Sequence, residues 1–114
     1  MAKYKVTIKN SDESYNYNLE GERRKEGLFL GKFNFIIKNE DALIIENSIP
    51  ITNKIPLKLN SLLSFTYISE YGKMILSSKL LEFYESEDKI YIKYNLYNKD
   101  EIVGEIEITI LYIK

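Results

Sequence analysis

The chain predicts an all-β domain, a single antiparallel up-and-down barrel of seven or eight strands, and three observations carry that expectation. Apolar residues alternate with polar ones, as in Ile90, Ile92, Tyr94 and Leu96 and again in Ile102, Ile106, Ile108, Ile110 and Tyr112. A period of two is the signature of strands with one buried face. Turn-forming clusters recur at intervals of roughly ten residues, the spacing of an all-β meander or barrel. Ten tyrosines add a residue type that packs well on a pleated surface and leaves its hydroxyl wet.

The first strand runs from Lys3 to Lys9, with Tyr4, Val6 and Ile8 on one face. Asn10 to Glu13 turns the chain, and Tyr15, Tyr17 and Leu19 mark the return. The charged run from Glu20 to Gly27 reads as a solvated loop or a strand end. Phe33, Phe35 and Ile37 alternate with Lys32, Asn34 and Lys38, and Asn39, Glu40 and Asp41 supply turn chemistry. Leu43 to Glu46 forms a short return strand. From Asn47 to Asn60 the chain carries Pro50 and Pro56, and since proline cannot donate to a ladder this stretch is an edge, a crossing or an irregular loop.

Leu63, Phe65 and Tyr67 resume the alternation, and Glu70, Tyr71 and Gly72 close it into a hairpin. Between Lys73 and Glu85 two readings compete. Leu76, Leu80, Phe83 and Tyr84 fit one face of a helix, yet a bulged strand suits the surroundings better. After a turn at Glu85 to Asp88 comes the last hairpin. If its apolar set points inward, Lys89, Tyr91, Lys93, Asn95 and Tyr97 point outward together with Val103, Glu105, Glu107 and Thr109. Residues opposite one another share a face, which calls for an odd-length connection such as Asn98, Lys99 and Asp100. Lys93 is then set against Glu105 or Glu107.

With 114 residues the chain has room for one domain covering 1–114, large enough to stand alone. Sixteen basic and seventeen acidic side chains give a formal charge of -1, so no long-range field draws the domain onto polyanions or acidic membranes. The absence of cysteine suits a reducing compartment, and the cytoplasm is the expected location. The first residues alternate and lack the apolar block of a secretory signal. Arg23 and Arg24 form a twin-arginine pair, but Lys25, Glu26 and Gly27 follow it, and a charged turn explains the pair. No run approaches the roughly 20 apolar residues that span a bilayer.

Catalysis is constrained by what is missing. Without His or Cys there is no Ser-His or Cys-His nucleophile system and no zinc site of nitrogen and sulfur ligands. The acidic clusters Asp12 with Glu13, Glu40 with Asp41, and Glu85 with Glu87 and Asp88 all fall at turns, and none has the spacing of a calcium loop. The glycines form no phosphate-cradling pattern. Neither an enzyme nor a cofactor or metal protein is expected. Lysines interleaved with tyrosines on an exposed strand resemble a stacking platform for single-stranded nucleic acid, but the facing glutamates offset the lysines.

Tyr67-Ile-Ser-Glu-Tyr-Gly-Lys-Met-Ile-Leu, then Glu87-Asp-Lys-Ile-Tyr-Ile-Lys-Tyr-Asn-Leu-Tyr and a closing Glu-Ile-x-Ile strand, give residues 65–114 a resemblance to the YwiB-like family of bacterial calycin-like barrels. The resemblance implies a closed, lipocalin-like barrel in the cytoplasm and brings no ligand or catalytic residue with it. An eight-stranded barrel has an interior that side chains just fill or that holds one small ligand. Phe33, Phe35, Phe65, Tyr67, Ile92, Tyr94, Ile108 and Ile110 are the candidate interior residues. A small apolar molecule is the expected ligand, oriented by the hydroxyls of Tyr67 and Tyr94. The rival reading is an interaction or self-association module that uses a sheet edge or the 49–63 segment, with Ile49, Ile51, Ile55, Leu57, Leu59, Leu62 and Leu63 as its apolar surface.

Overall fold

Each stretch of alternating residues pairs with its neighbour in sequence, and the result in the computed structural model is one antiparallel sheet curled into a nearly closed barrel. Residues 2–48 and 51–114 are described, so Ile49 and Pro50 lie outside this account. The described residues form ten strands: β1 (Ala2–Asn10), β2 (Glu13–Arg24), β3 (Gly27–Phe29), β4 (Phe33–Asn39), β5 (Ala42–Asn47), β6 (Asn53–Lys58), β7 (Leu62–Ser69), β8 (Gly72–Glu85), β9 (Lys89–Asn98) and β10 (Glu101–Ile113). Their order in the sheet is β6-β5-β4-β3-β2-β1-β10-β9-β8-β7. The first and last strands close the circuit with a ladder running from Lys3 opposite Ile113 to Asn10 opposite Ile106. The consecutive pair β6 and β7 instead lies at the two ends of the sheet.

Ten strands replace the expected seven or eight, and the two additions have physical reasons. β3 is only three residues long, too short for alternation to register, but it buries Leu28 completely and pairs with both β2 and β4. The Glu20 to Gly27 run is therefore the end of β2 and a two-residue turn before β3. β6 contains Pro56, yet Asn53, Ile55 and Leu57 keep a period of two and bury against β5. A strand at the end of a sheet tolerates proline because its far side has no ladder to donate to.

Between Lys73 and Glu85 the chain is a strand with a bulge, as favoured over the helix. The register of β8 against β9 jumps between Leu80 and Glu82, leaving Leu81 as the extra residue. Leu76, Ser78 and Leu80 point inward before the bulge and Phe83 after it, and this change of phase produced the helix-like spacing of Leu76, Leu80 and Phe83.

The parity of the last hairpin is solved differently from expectation. Asn98 pairs with Glu101, so the turn has two residues, Lys99 and Asp100, with Lys99 in the left-handed region at φ 58°. Parity is restored by a bulge between Ile102 and Gly104. Lys93 consequently faces Glu107, at 3.9 Å, and both outward sets share one face.

The core occupies the concave side of the sheet. Val6, Leu28, Phe35, Leu80 and Ile92 are each 0% exposed, so five strands contribute fully buried side chains to one cluster. One end of the barrel is shut by Arg23 at the end of β2. Its guanidinium donates to the Ser86 carbonyl at 2.8 Å and pairs with Glu85 at 2.5 Å, tying β2 to the β8–β9 turn. The rings of Tyr4 and Tyr112 pack at 5.5 Å beside it. The other end carries the turns after β1, β3, β7 and β9.

Candidate functional site

The eight candidate interior residues all fall on the inner face, but they do not form one pocket. Phe33 and Phe35 come from β4, Phe65 and Tyr67 from β7, Ile92 and Tyr94 from β9, and Ile108 and Ile110 from β10. Phe35, Ile92, Ile108 and Ile110 are at most 3% exposed and serve as packing. Ile92 and Ile108 sit directly opposite one another in the ladder. Phe33 is buried at the turn end, its ring edge-on to Tyr17 at 5.4 Å. Phe65 is half-buried against the same cluster.

The two tyrosines proposed to orient a ligand are in different surroundings. Tyr94 is opposite Leu80 on one side and Ile106 on the other, and burial pushes its phenol well above the ordinary range. Tyr67 is half-buried at the rim, opposite Met74, where it lines a cavity of about 230 Å³. That cavity opens at the turn end of the seam between β6 and β7, with Asn53, Ile55, Ile68 and Tyr71 among its walls. Tyr71 is 91% exposed and overhangs it from the β7–β8 turn.

Asn53 is the residue that places the two sides of this cavity. Its side chain is buried and spans the seam: the Ile68 N–H donates to Oδ1 at 2.8 Å, and Nδ2 donates to the Ile68 carbonyl at 2.9 Å. Ser78, 0% exposed, reaches the same seam from β8, its hydroxyl donating to the Pro56 carbonyl and lying 3.5 Å from that of Leu63. Sequence reasoning passed over both residues. The available signal was phase: Asn53 with Ile55 and Leu57, and Ser78 with Leu76 and Leu80, are polar residues at inward positions, where a polar group has to find a partner.

On the convex face a second depression, of about 350 Å³, lies over the β8 bulge with Lys9, Lys93, Glu105 and Glu107 around it. Opposed charges recur across this face: Lys9 is opposite Glu107, and Lys3 is opposite Glu20. The Tyr91 phenol shares the same surface, and burial, then Glu107 and Glu82, raise its pKa. Among the described residues no group of three or more acidic side chains is arranged to hold a metal ion. No helix among them is long and apolar enough to cross a membrane.

Comparison with known proteins gives a fold. The chain is similar to the crystal structure of ywiB protein from Bacillus subtilis, with a TM-score of 0.58 over 99% of this chain and 90% of that one. Sequence identity is 14%, so the likeness establishes a YwiB-like fold and nothing about activity. No family model matches the chain, and no curated protein matches it.

Proposed function

We propose that this protein is a calycin-like binding barrel that takes a small apolar molecule at the turn end of its interior. The observation that carries the reading is the cavity of about 230 Å³ at the β6–β7 seam, walled by Ile55, Tyr67, Ile68 and Tyr71. Ligand sites of this kind are mostly apolar with a few placed polar groups, and here the Tyr67 hydroxyl is the placed polar group, with Asn47, Ser69 and Glu70 also in the walls. Phe35, Ile92 and Ile110 fill the centre of the barrel, so the ligand sits at the mouth above them.

Native mass spectrometry of protein purified from cells, joined to a thermal-shift screen of fatty acids and aromatic compounds, tests the reading. A co-purifying apolar adduct, or a compound that raises the melting temperature and loses its effect on Tyr67→Ala, is the expected result. Neither an adduct nor any shift across the screen defeats it.

A second reading has its own observation. Leu62 is 63% exposed and Ile75 is 64% exposed on the outer side of β7 and β8, next to the sheet's end. These apolar side chains, within and beside the 49–63 segment, suit self-association through that edge. Light scattering after size exclusion separates the readings, since a monomer at every concentration leaves only the binding barrel.

A further inference from the structure

The seam between β6 and β7 is built unlike the rest of the barrel. The other neighbours in the ring are joined by backbone ladders. Among the described residues, β6 and β7 share a single bridge, Lys58 with Ser61, at the turn that connects them. That turn is anchored, because Ser61 N–H donates to the Lys58 carbonyl at 3.2 Å and Asn60 N–H to the Leu80 carbonyl at 2.9 Å. Halfway up, the contact is the Ser78 hydroxyl on the Pro56 carbonyl. At the top it is the Asn53 amide, with its two hydrogen bonds to Ile68. The cavity of about 230 Å³ borders this last contact, with Asn53 and Ile68 both in its walls.

We infer that the top of the seam parts to admit a small apolar molecule into this cavity at the barrel's mouth, and that Asn53 is the latch that holds it closed. Opening any ladder of the ring breaks a run of backbone hydrogen bonds together, whereas among the described residues the top of the seam is held by the two bonds that the Asn53 side chain makes to Ile68. Segments held by few contacts open locally without unfolding the rest. The Lys58–Ser61 turn is the fixed end, and the apolar walls Ile55 and Tyr67 are what the opening uncovers. The role as an access route rests on the binding reading above; the local opening does not.

Amide hydrogen exchange on the full chain tests the opening without a ligand. The Ile68 amide is expected to exchange about a hundredfold faster than the amides of the β1–β10 ladder, and Asn53→Ala to speed it further while leaving that ladder's exchange order unchanged. Equal protection of Ile68 and the ladder overturns the latch, and this measurement needs no variant to fold. Because the chain has no cysteine, Asn53→Cys with Ile68→Cys makes a unique pair that dibromobimane can cross-link. Uptake of dansylamide, followed by fluorescence, is expected to be fast in the reduced pair and at least tenfold slower once cross-linked. Equal uptake in both forms overturns the seam as the route. Fast exchange at Ile68 with no dansylamide signal in any form overturns the binding reading and the access role with it, and is distinguishable from failure of the latch.

Discussion

Asn53 meets Ile68 as a peptide group meets its partner across a sheet, donating to the carbonyl and accepting from the amide at 2.9 and 2.8 Å. One side chain thus replaces a step of backbone ladder at the place where the sheet's two ends come together. Removing it leaves a partly buried N–H and C=O without those partners, and each such loss costs about 1–3 kcal/mol. Asn53→Ala is therefore expected to lower stability by about 2–4 kcal/mol in urea denaturation, the lower half of that sum because both groups are only partly buried. Asn53→Asp separates the two bonds, because a carboxylate accepts from Ile68 N–H but repels its carbonyl. The aspartate's folded pKa is then raised above its unfolded value of about 3.9. A raised acid gives stability that is present below the unfolded pKa and lost as pH rises through the folded one. The Asp variant should approach the wild type near pH 4 and fall away toward pH 7. A constant gap over that range would remove the donor role assigned to Nδ2.

Ser78 is the complementary case, a hydroxyl with no exposure whose donor goes to the carbonyl of a proline-containing edge strand. Ser78→Ala keeps the packing and strands the Pro56 carbonyl, so a loss of about 1–2 kcal/mol is expected with an unchanged denaturant slope. Ser78→Thr keeps the hydroxyl but adds a methyl group to a filled core, and should cost about as much for a different reason. A neutral Ser78→Ala would mean that the seam does not depend on this bond.

Two glycines make a controlled comparison of space against backbone conformation. A Cβ on Gly27 would lie 1.9 Å from the Phe35 carbonyl oxygen at a φ of +152°, whereas one on Gly31, at φ +81°, meets nothing within 4 Å. Gly31→Ala should cost only the conformational strain, about 1 kcal/mol. Gly27→Ala must push β3 off β4 and should cost roughly 4 kcal/mol or more, enough to show as loss of soluble protein or of a cooperative melt. Similar melting temperatures for the two variants would contradict the close approach of the strands at Gly27.

What was legible in the chain was periodicity, and what was hidden was every place where the period is interrupted. Phe33, Phe35, Ile92 and Ile108 alternate cleanly, and all four are buried. Parity set Lys93 against Glu105 or Glu107, and the structure pairs it with Glu107, although the parity is kept by a bulge at Val103 and not by a longer turn. β3 escaped notice because three residues cannot establish a period, and for β6 Pro56 left an edge, a crossing and an irregular loop all open, of which the edge is what forms. The seam site was out of reach for a related reason. Asn53 and Ile68 lie fifteen positions apart and bond through a side chain, so no ladder rule joins them. Their meeting depends on where the two ends of a ten-stranded sheet arrive.

Tyr94 gives the fold a characteristic alkaline limit. Its phenol lies in the core opposite Leu80 and Ile106, and burial holds its pKa far above the ordinary value of 10. The folded state thus keeps this proton at pH values where the unfolded chain, with a pKa of about 10, gives it up. A raised acid contributes stability fully below the unfolded pKa, and above about pH 10 each further unit removes up to roughly 1.4 kcal/mol. Tyr91 is raised in the same direction by burial and by Glu107, and Tyr15 by its hydrogen bond to Glu13, so some alkaline loss remains without Tyr94. Tyr94→Phe should match the wild type's pH dependence from pH 7 to 9 and lose stability more slowly from pH 10 to 12. Urea denaturation at each pH, with tyrosinate absorbance followed in parallel, checks it. Wild type and Tyr94→Phe declining in parallel above pH 10 would show that the Tyr94 hydroxyl reaches solvent in the folded barrel.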